Sequence, residues 1–439
     1  MAYIDQYEKY LNEVEDAAEL CRTTGKRAVF GYTSDLDIVL RYDAEAFGKL
    51  EKEYLITASD IYPESAMNDS GDFVRVMLHY LVSGDGGECD INDYGICEYL
   101  TQNFENAPGL GGTGAQGAAA MGAMEIPLIV HITDRSRPVC ERMDYPVLDV
   151  IMDGIAVPVM EAVQDCVPIY HMIMEYSKGD TYYLAGEQGE VPLSNRLIMN
   201  YDQIHKDLPV NDDFRAYLEA HAESIVSYNI SGLNAMLDPG LVRMRLQELD
   251  EHYRTMKEKN PDCIFYFESA HYLNPEVKVI VYEYFSRYVD IMGMNEDELV
   301  VHGRECGIEI DKNDLKDTIS GVDLIRRKYG ANGIILHTKD YSMYYGNELK
   351  GINIEKGLTL GNLMAGTRAR TGHYGSREEC RASLAYPLSG SGLRFSAEIE
   401  EMDFDCFVCL VPSRYIDHPK STIGLGDTFS AGVQISFIR

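Results

Sequence analysis

SIVSYNI (224–230), IFYFES (264–269), VDIMGM (289–294) and GIILHT (333–338) are four apolar runs of strand length. Between them the pattern changes to helical spacing. A helix carrying Leu241, Met244, Leu246 and Leu249 follows the first run, a second helix is predicted from about Pro275 to Tyr288, and two more over 296–304 and 313–329. Strands alternating with helices at this interval predict an α/β fold built on a doubly wound, mostly parallel sheet. In such a sheet the ligand sits beyond the C-terminal strand ends. Working outward, RAVFG (27–31) and IPLIVHI (126–132) read as two further strands, residues 115–124 as a tightly packed helix of small residues, and residues 5–23 as one amphipathic helix. Residues 38–107 and 166–210 are less regular. The expectation is a large discontinuous α/β domain (1–37, 108–165 and 211–439) carrying a smaller inserted one (38–107 and 166–210).

The 439 residues carry 39 Lys+Arg against 71 Asp+Glu, a formal charge of −32. That sign argues against nucleic acid and anionic membrane surfaces as partners, since both attract clustered cations. An anionic substrate would need local cations or a metal to offset the field. The N-terminal stretch lacks the basic-then-apolar pattern of a secretory signal, and Val147–Val163 is interrupted by Asp149, Asp153, Pro158 and Glu161, so a cytoplasmic protein is expected. The ten scattered cysteines read as reduced thiols, and Cys406-Phe-Val-Cys409 lies in a strand-like run without a second metal-binding pair. Oligomeric state is not legible.

The segment Thr422-Ile-Gly424-Leu425-Gly426-Asp427-Thr428-Phe-Ser-Ala-Gly432 delivers an aspartate on a glycine turn at the start of an amphipathic helix. The turn's exposed N–H groups and the positive helix end favour an anion. A carboxylate beside that anion can accept a hydroxyl proton, the pairing phosphoryl transfer requires. An aspartate that merely caps the helix is the competing reading. Two overlapping GxGxxG matches at 109–117 follow TQNFENAP, which reads as no buried strand, so a dinucleotide site is not expected there.

The Gly424–Asp427 turn resembles the GxGD motif of ribokinase-like sugar kinases. Asn295-Glu-Asp-Glu298-Leu, Phe267-Glu268-Ser, Gly31-Tyr-Thr-Ser-Asp35-Leu-Asp37, Gly111-Gly112 and Asn195-Arg196-Leu-Ile narrow the resemblance to the ADP-dependent glucokinase/phosphofructokinase family, dispersed over about 27–432. The resemblance implies a ribokinase-like domain with a lid that closes over a sugar. It implies transfer from ADP to a hexose or hexose phosphate, with release of AMP. Asp427 would be the base and the Gly424–Leu425–Gly426 turn would stabilise the transferred charge. Glu268, Glu298 and Asp427 would organise Mg²⁺ on the nucleotide, and Asn295, His337 and Val411 would border it. Asp37, Glu88, Gly111 and Gly112 would hold the sugar, and Lys178 and Arg196 the phosphate of a sugar phosphate. This chain has Asp35 where the family usually has asparagine, Thr113 where it often has glutamine, and Tyr266 where it often has histidine. Glucose and fructose 6-phosphate both stay open as acceptors. ATP as donor, and a non-catalytic sugar or nucleotide sensor on the same scaffold, are the alternatives.

Overall fold

Arg27–Gly31 pairs in parallel with Ile225–Ile230 on one side and Leu128–Val130 on the other. From there Ile264–Glu268, Ile291–Asn295 and Gly333–His337 add in parallel on one flank, and Leu148–Met152 on the other. Antiparallel strands close the edges, giving a ten-stranded sheet. The structure, a computed structural model, describes residues 2–63 and 66–439. The four runs that set the expected rhythm are all strands of this sheet. They read as continuous apolar runs because helices cover both faces. Asp238, Asn274, Asn295 and Asp314 each cap the helix that follows by accepting backbone N–H bonds, so polar residues end the strand-to-helix loops where the pattern changes period. The helix expected over 5–23 is broken between Asn12 and Val14 into two.

One face of this sheet carries Leu425–Ile435, which packs between Ile354–Thr371 and Thr113–Ala123. These helices are rich in Gly, Ala and Ser, so their backbones approach closely, and this sets the Gly424–Asp427 turn at the C-terminal strand ends.

A second sheet has six strands in the order Ala66–Met67, Gly87–Ile91, Asn195–Tyr201, Tyr170–Tyr176, Asp35–Arg41, Asn106–Gly111. Alternation buries Met172, Met174 and Tyr176 in an apolar layer with Phe47, Phe73 and Val74 of the covering helices. It sends His171, with Asp37 and Asn200 opposite it in the register, to the other face, toward the large sheet. The boundaries expected at 37/38 and 107/108 fall inside two strands of this sheet. The chain leaves the large sheet at Gly31, and Asp35–Arg41 and Asn106–Gly111 pair with each other as the small sheet's edge. Local pattern marks a polar turn but not which sheet the next strand joins. Among the described residues no helix is long and apolar enough to cross a membrane.

Candidate active site

Gly424 stands at the N-cap of Leu425–Ile435 with φ of 67°, a left-handed conformation that glycine adopts without strain. A side chain there would also collide with Gln116 and lie 3.0 Å from Arg368 Nη2. Gly424, not Asp427, is therefore the cap, and among the described residues the Asp427 carboxylate takes no hydrogen bond. Burial and the neighbouring Glu268 push Asp427 up to about 7, while Arg368 and His337 pull the other way. A carboxyl held near neutrality, unbonded, at a helix start is suited to take up a proton.

The turn is held by residues that sequence reasoning missed. Arg368, 7% exposed, donates from Nε to the Ile423 carbonyl (2.8 Å) and from Nη2 to Gln116 Oε1 (3.1 Å). Its guanidinium lies 4.0 Å from the centre of the Tyr374 ring, and Tyr374 donates its hydroxyl to the same Gln116 oxygen (3.2 Å). The bracket ties the turn to the first turn of Thr113–Ala123. A lone Arg and a lone Gln 252 residues apart carry no local signal.

Glu268 ends its strand, 5% exposed, with Oε1 2.9 Å from His337 Nε2 and Oε2 buried without a hydrogen-bond partner. The Gly426 backbone packs against both residues: a Cβ there would lie 3.1 Å from His337 Cε1 and 3.9 Å from Glu268 Oε1. Burial works against charge on His337, but Glu268, Glu298 and Glu296 together raise the imidazole above its ordinary value. Glu298 forms a capping box with Asn295: its Oε2 accepts the Asn295 N–H (3.2 Å) and its Oε1 the Asn295 amide (3.0 Å). Burial and Glu268 hold it at about 7. Glu298 is thus a helix cap that also faces Glu268 and Asp427. Tyr266 and Glu268 flank Gly293, where a side chain would meet both. An orphaned buried oxygen amid three mutually repelling carboxylates fits a hard divalent cation.

Beside this group lies a cavity of about 670 Å³ lined by Asn295, His337, Asn362, Ala365, Gly366, Arg414, Leu425, Gly426 and Phe429, among others. Its small-residue wall on Ile354–Thr371 and its opening at the Gly424–Asp427 turn suit a planar ring with a phosphate tail. Asn295 and His337 are brought there as expected. Val411 is not: it is buried in the edge strand, and its carbonyl accepts from Asn362 Nδ2 (3.0 Å). The cavity is lined instead from Ser413 onward, because the strand runs through Pro412 before the chain turns outward.

Across the turn the small sheet presents Asp35 and Asp37. Gly111 faces Asp35 in the register, and a side chain on it would collide with Asp35 and lie 2.6 Å from Asp37 Oδ1, so bare backbone is what admits both carboxylates. Gly112, with φ of 83°, caps Thr113–Ala123. His171 Nδ1 lies 3.2 Å from Asp35 Oδ1 and 3.7 Å from Asp37 Oδ1, and its Nε2 3.6 Å from Asp202 Oδ2. Burial opposes charge on His171, but Asp35, Asp202 and Asp37 together raise it to about 10, so it is an imidazolium at neutral pH. Burial and Asp35 push Asp37 up to about 7, with His171 opposing. The two histidines flanking Asp202 drive it well below the ordinary carboxylate range against the effect of burial. His171, Asp202 and His205 were not legible as site residues. Their strand is a plain alternation, and only the pairing with Asp35–Arg41 brings them to Asp37.

Glu88 is exposed at a pocket of about 240 Å³ with His171, Asp202, Asn200 and, from the large sheet's loops, Asn234 and His271. Its Oε1 accepts from Asn200 Nδ2 (2.7 Å). Arg196 and Lys178 do not line this pocket. Arg196 sits opposite Glu175, four residues along the strand from His171, about 13 Å at strand rise, though on the same sheet face. Lys178 is exposed in the turn beyond, where its N–H donates to Ser194 Oγ. Both lie at the far rim of the small sheet, away from Asp37.

Fold and site together define a phosphotransferase whose acceptor is a small-molecule hydroxyl: a free carboxylate at an anion-binding turn stands between a nucleotide-sized cavity and a polar pocket. Residues 26–435 match the family model described as "ADP-specific Phosphofructokinase/Glucokinase conserved region", and the chain belongs to this family. It is 24% identical to the ADP-specific phosphofructokinase of Pyrococcus furiosus, over 93% of this chain and 96% of that protein. It is 23% identical to the ADP-dependent glucose/glucosamine kinase of the same organism, over 98% and 97%. Among solved structures, the phosphofructokinase from Pyrococcus horikoshii OT3 with AMP superposes with a TM-score of 0.77 at 21% identity, covering 94% of this chain and 98% of that one. An ADP-dependent kinase in complex with fructose-6-phosphate and ADPβS gives 0.74 at 20%, covering 99% and 98%. The protein is an ADP-dependent carbohydrate kinase by family.

Proposed function

We propose that the protein transfers the β-phosphoryl group of ADP to a hydroxyl of a hexose or hexose phosphate and releases AMP. The observation that carries this is the unbonded Asp427 carboxylate, raised to about 7, at the Gly424 turn between the 670 Å³ cavity and the Asp37–His171 pocket. The nucleotide lies along Asn362–Gly366 with its phosphates at the turn. The sugar lies on the small sheet, which acts as a lid and excludes water from the reacting phosphate. Its hydroxyls are held by Asp37, His171 and the Gly111–Gly112 backbone. Asp427 accepts the proton of the attacking hydroxyl. The N–H groups of the turn, fixed by Arg368, receive the charge of the transferred group without reorganisation. Glu268, Glu298 and Asp427 would hold Mg²⁺, which would supply charge neutralisation of the phosphates in this acidic site.

Two observations bear on the acceptor. Glu88 lines the pocket and supports an unphosphorylated hexose. Arg41 and Arg196 share the pocket's sheet face, one on each side of Glu175, and no ion pair joins them to it among the described residues. They support a sugar phosphate reaching the far rim. The test is a panel of hexoses and hexose phosphates against ADP and ATP with Mg²⁺, monitoring AMP. Sugar-dependent AMP from ADP is the expected result. ADP formed from ATP, with no AMP from ADP, would overturn the donor assignment.

A further inference from the structure

Asp35, His171 and His205 each place a possible ligand atom within 4.8 Å of the other two. We infer that they form a second cation site, for a borderline divalent transition ion such as Zn²⁺ or Co²⁺, at the base of the small-sheet pocket.

Asp35 supplies the first argument. It is 1% exposed, and neither of its carboxylate oxygens has a hydrogen-bond partner. Its counter-charge is the His171 imidazolium, with Nδ1 3.2 Å from Oδ1, and a divalent ion that displaces that proton to solvent would keep the buried charge paired.

Asp202 supplies the second. Its Oδ2 lies 2.8 Å from His205 Nδ1 and 3.6 Å from His171 Nε2. One carboxylate thus backs both rings, the outer-shell arrangement that fixes metal-binding imidazoles. The remaining nitrogens are His171 Nδ1, 3.2 Å from Asp35 Oδ1, and His205 Nε2. His205 Nε2 now meets the Thr133 hydroxyl (2.6 Å), which has the Ser34 carbonyl at 3.2 Å as another acceptor. Turning the Thr133 hydroxyl to the Ser34 carbonyl would free this nitrogen for the ion.

The donor set decides the ion. Two imidazoles and a carboxylate suit Zn²⁺ or Co²⁺, while Mg²⁺ prefers oxygen alone. Metal–ligand bonds of about 2.1 Å bring neighbouring donors to about 3–3.5 Å apart, a spacing His171 and Asp35 already have. Asp37 and Asp202 add negative charge, and the 240 Å³ pocket lined by His171 and Asp202 provides the entry path. Asp37 Oδ1 lies 3.7 Å from the same His171 nitrogen. A bound ion therefore takes the position of a sugar hydroxyl and competes with the sugar, a consequence that rests on the sugar pocket proposed above.

The experiment titrates the full-length protein with Co²⁺ in excess Mg²⁺ and without nucleotide, reading visible absorption. The expected result is one ion per chain, with bands of nitrogen and oxygen ligation and no thiolate charge transfer. Asp35→Asn and, separately, His205→Gln each weaken binding at least tenfold, with circular dichroism and ADP binding retained. Absence of binding, a thiolate band, or unchanged affinity in both folded variants would overturn the site. Adding an accepted hexose weakens Co²⁺ binding. Unchanged affinity at saturating hexose would overturn the competition. Binding is read without turnover, so a failed kinase assay and a failed metal site are told apart.

Discussion

Gly111→Ala isolates the sugar side of the site with one methyl group. The added carbon would collide with Asp35 and lie 2.6 Å from Asp37 Oδ1 and 2.8 Å from Asp35 Cγ. Both carboxylates are buried and hemmed in by His171, so neither can rotate away freely. Either the two side chains leave their positions or the strand pair Asp35–Arg41 and Asn106–Gly111 separates locally. A hydrogen bond to a charged group contributes about 1.5–3 kcal/mol. Losing two such bonds to the sugar costs about 3–6 kcal/mol, or about 10²–10⁴ in kcat/KM. The loss falls on the sugar's KM, because the nucleotide cavity is lined by other elements. AMP formation at varied sugar and saturating ADP reads the effect, with thermal unfolding to confirm the fold. A folded variant whose sugar KM stays within threefold of the parent would refute the placement of Asp35 and Asp37.

Arg368→Met removes the bonds to Ile423 and Gln116 and a positive charge near Asp427. It should lower kcat about 10–100-fold and move the acid limb of kcat/KM to higher pH; an unchanged limb would exclude the electrostatic part of its role. In the parent protein, kcat/KM should rise through about pH 7 as Asp427 loses its proton, whereas a limb near the ordinary carboxylate range would contradict its burial. Asp37, Glu298 and Asp427 are all raised to about 7 in the folded state. Their stabilising contribution is complete below the unfolded values near 4 and is lost as pH rises toward 7. The melting temperature of the ligand-free protein should therefore fall between pH 5 and 8, and Mg²⁺ with ADP should flatten the decline; a rise over that range would reject the shared origin of these shifts.

The parts of the site that sequence revealed are those encoded locally. The Gly424–Asp427 turn, the strand-end Glu268 and the Asn295–Glu298 capping run each carry their chemistry within a few residues, and the structure brings them together because parallel strands end at one edge. What stayed hidden depends on pairing between distant segments. His171 is one polar residue in an alternating strand until Asp35–Arg41 is laid beside it. Gln116 and Arg368 meet only because three small-residue helices pack tightly. Val411 was assigned two residues too early because an apolar strand and the loop that follows it are continuous in hydropathy. How far Arg196 and Lys178 stand from Asp37 is likewise hidden until the strands are paired, when strand rise along the small sheet sets them at its far rim.

The central claim is that Asp427 takes the proton of the attacking hydroxyl. The direct measurement follows ³²P from β-labelled ADP into the acceptor, comparing the parent protein with Asp427→Asn under single-turnover conditions. The account predicts label in the sugar and unlabelled AMP for the parent, with transfer slowed about 10²–10⁴-fold in a variant that still folds and binds ADP. Equal transfer rates in the two proteins would contradict it.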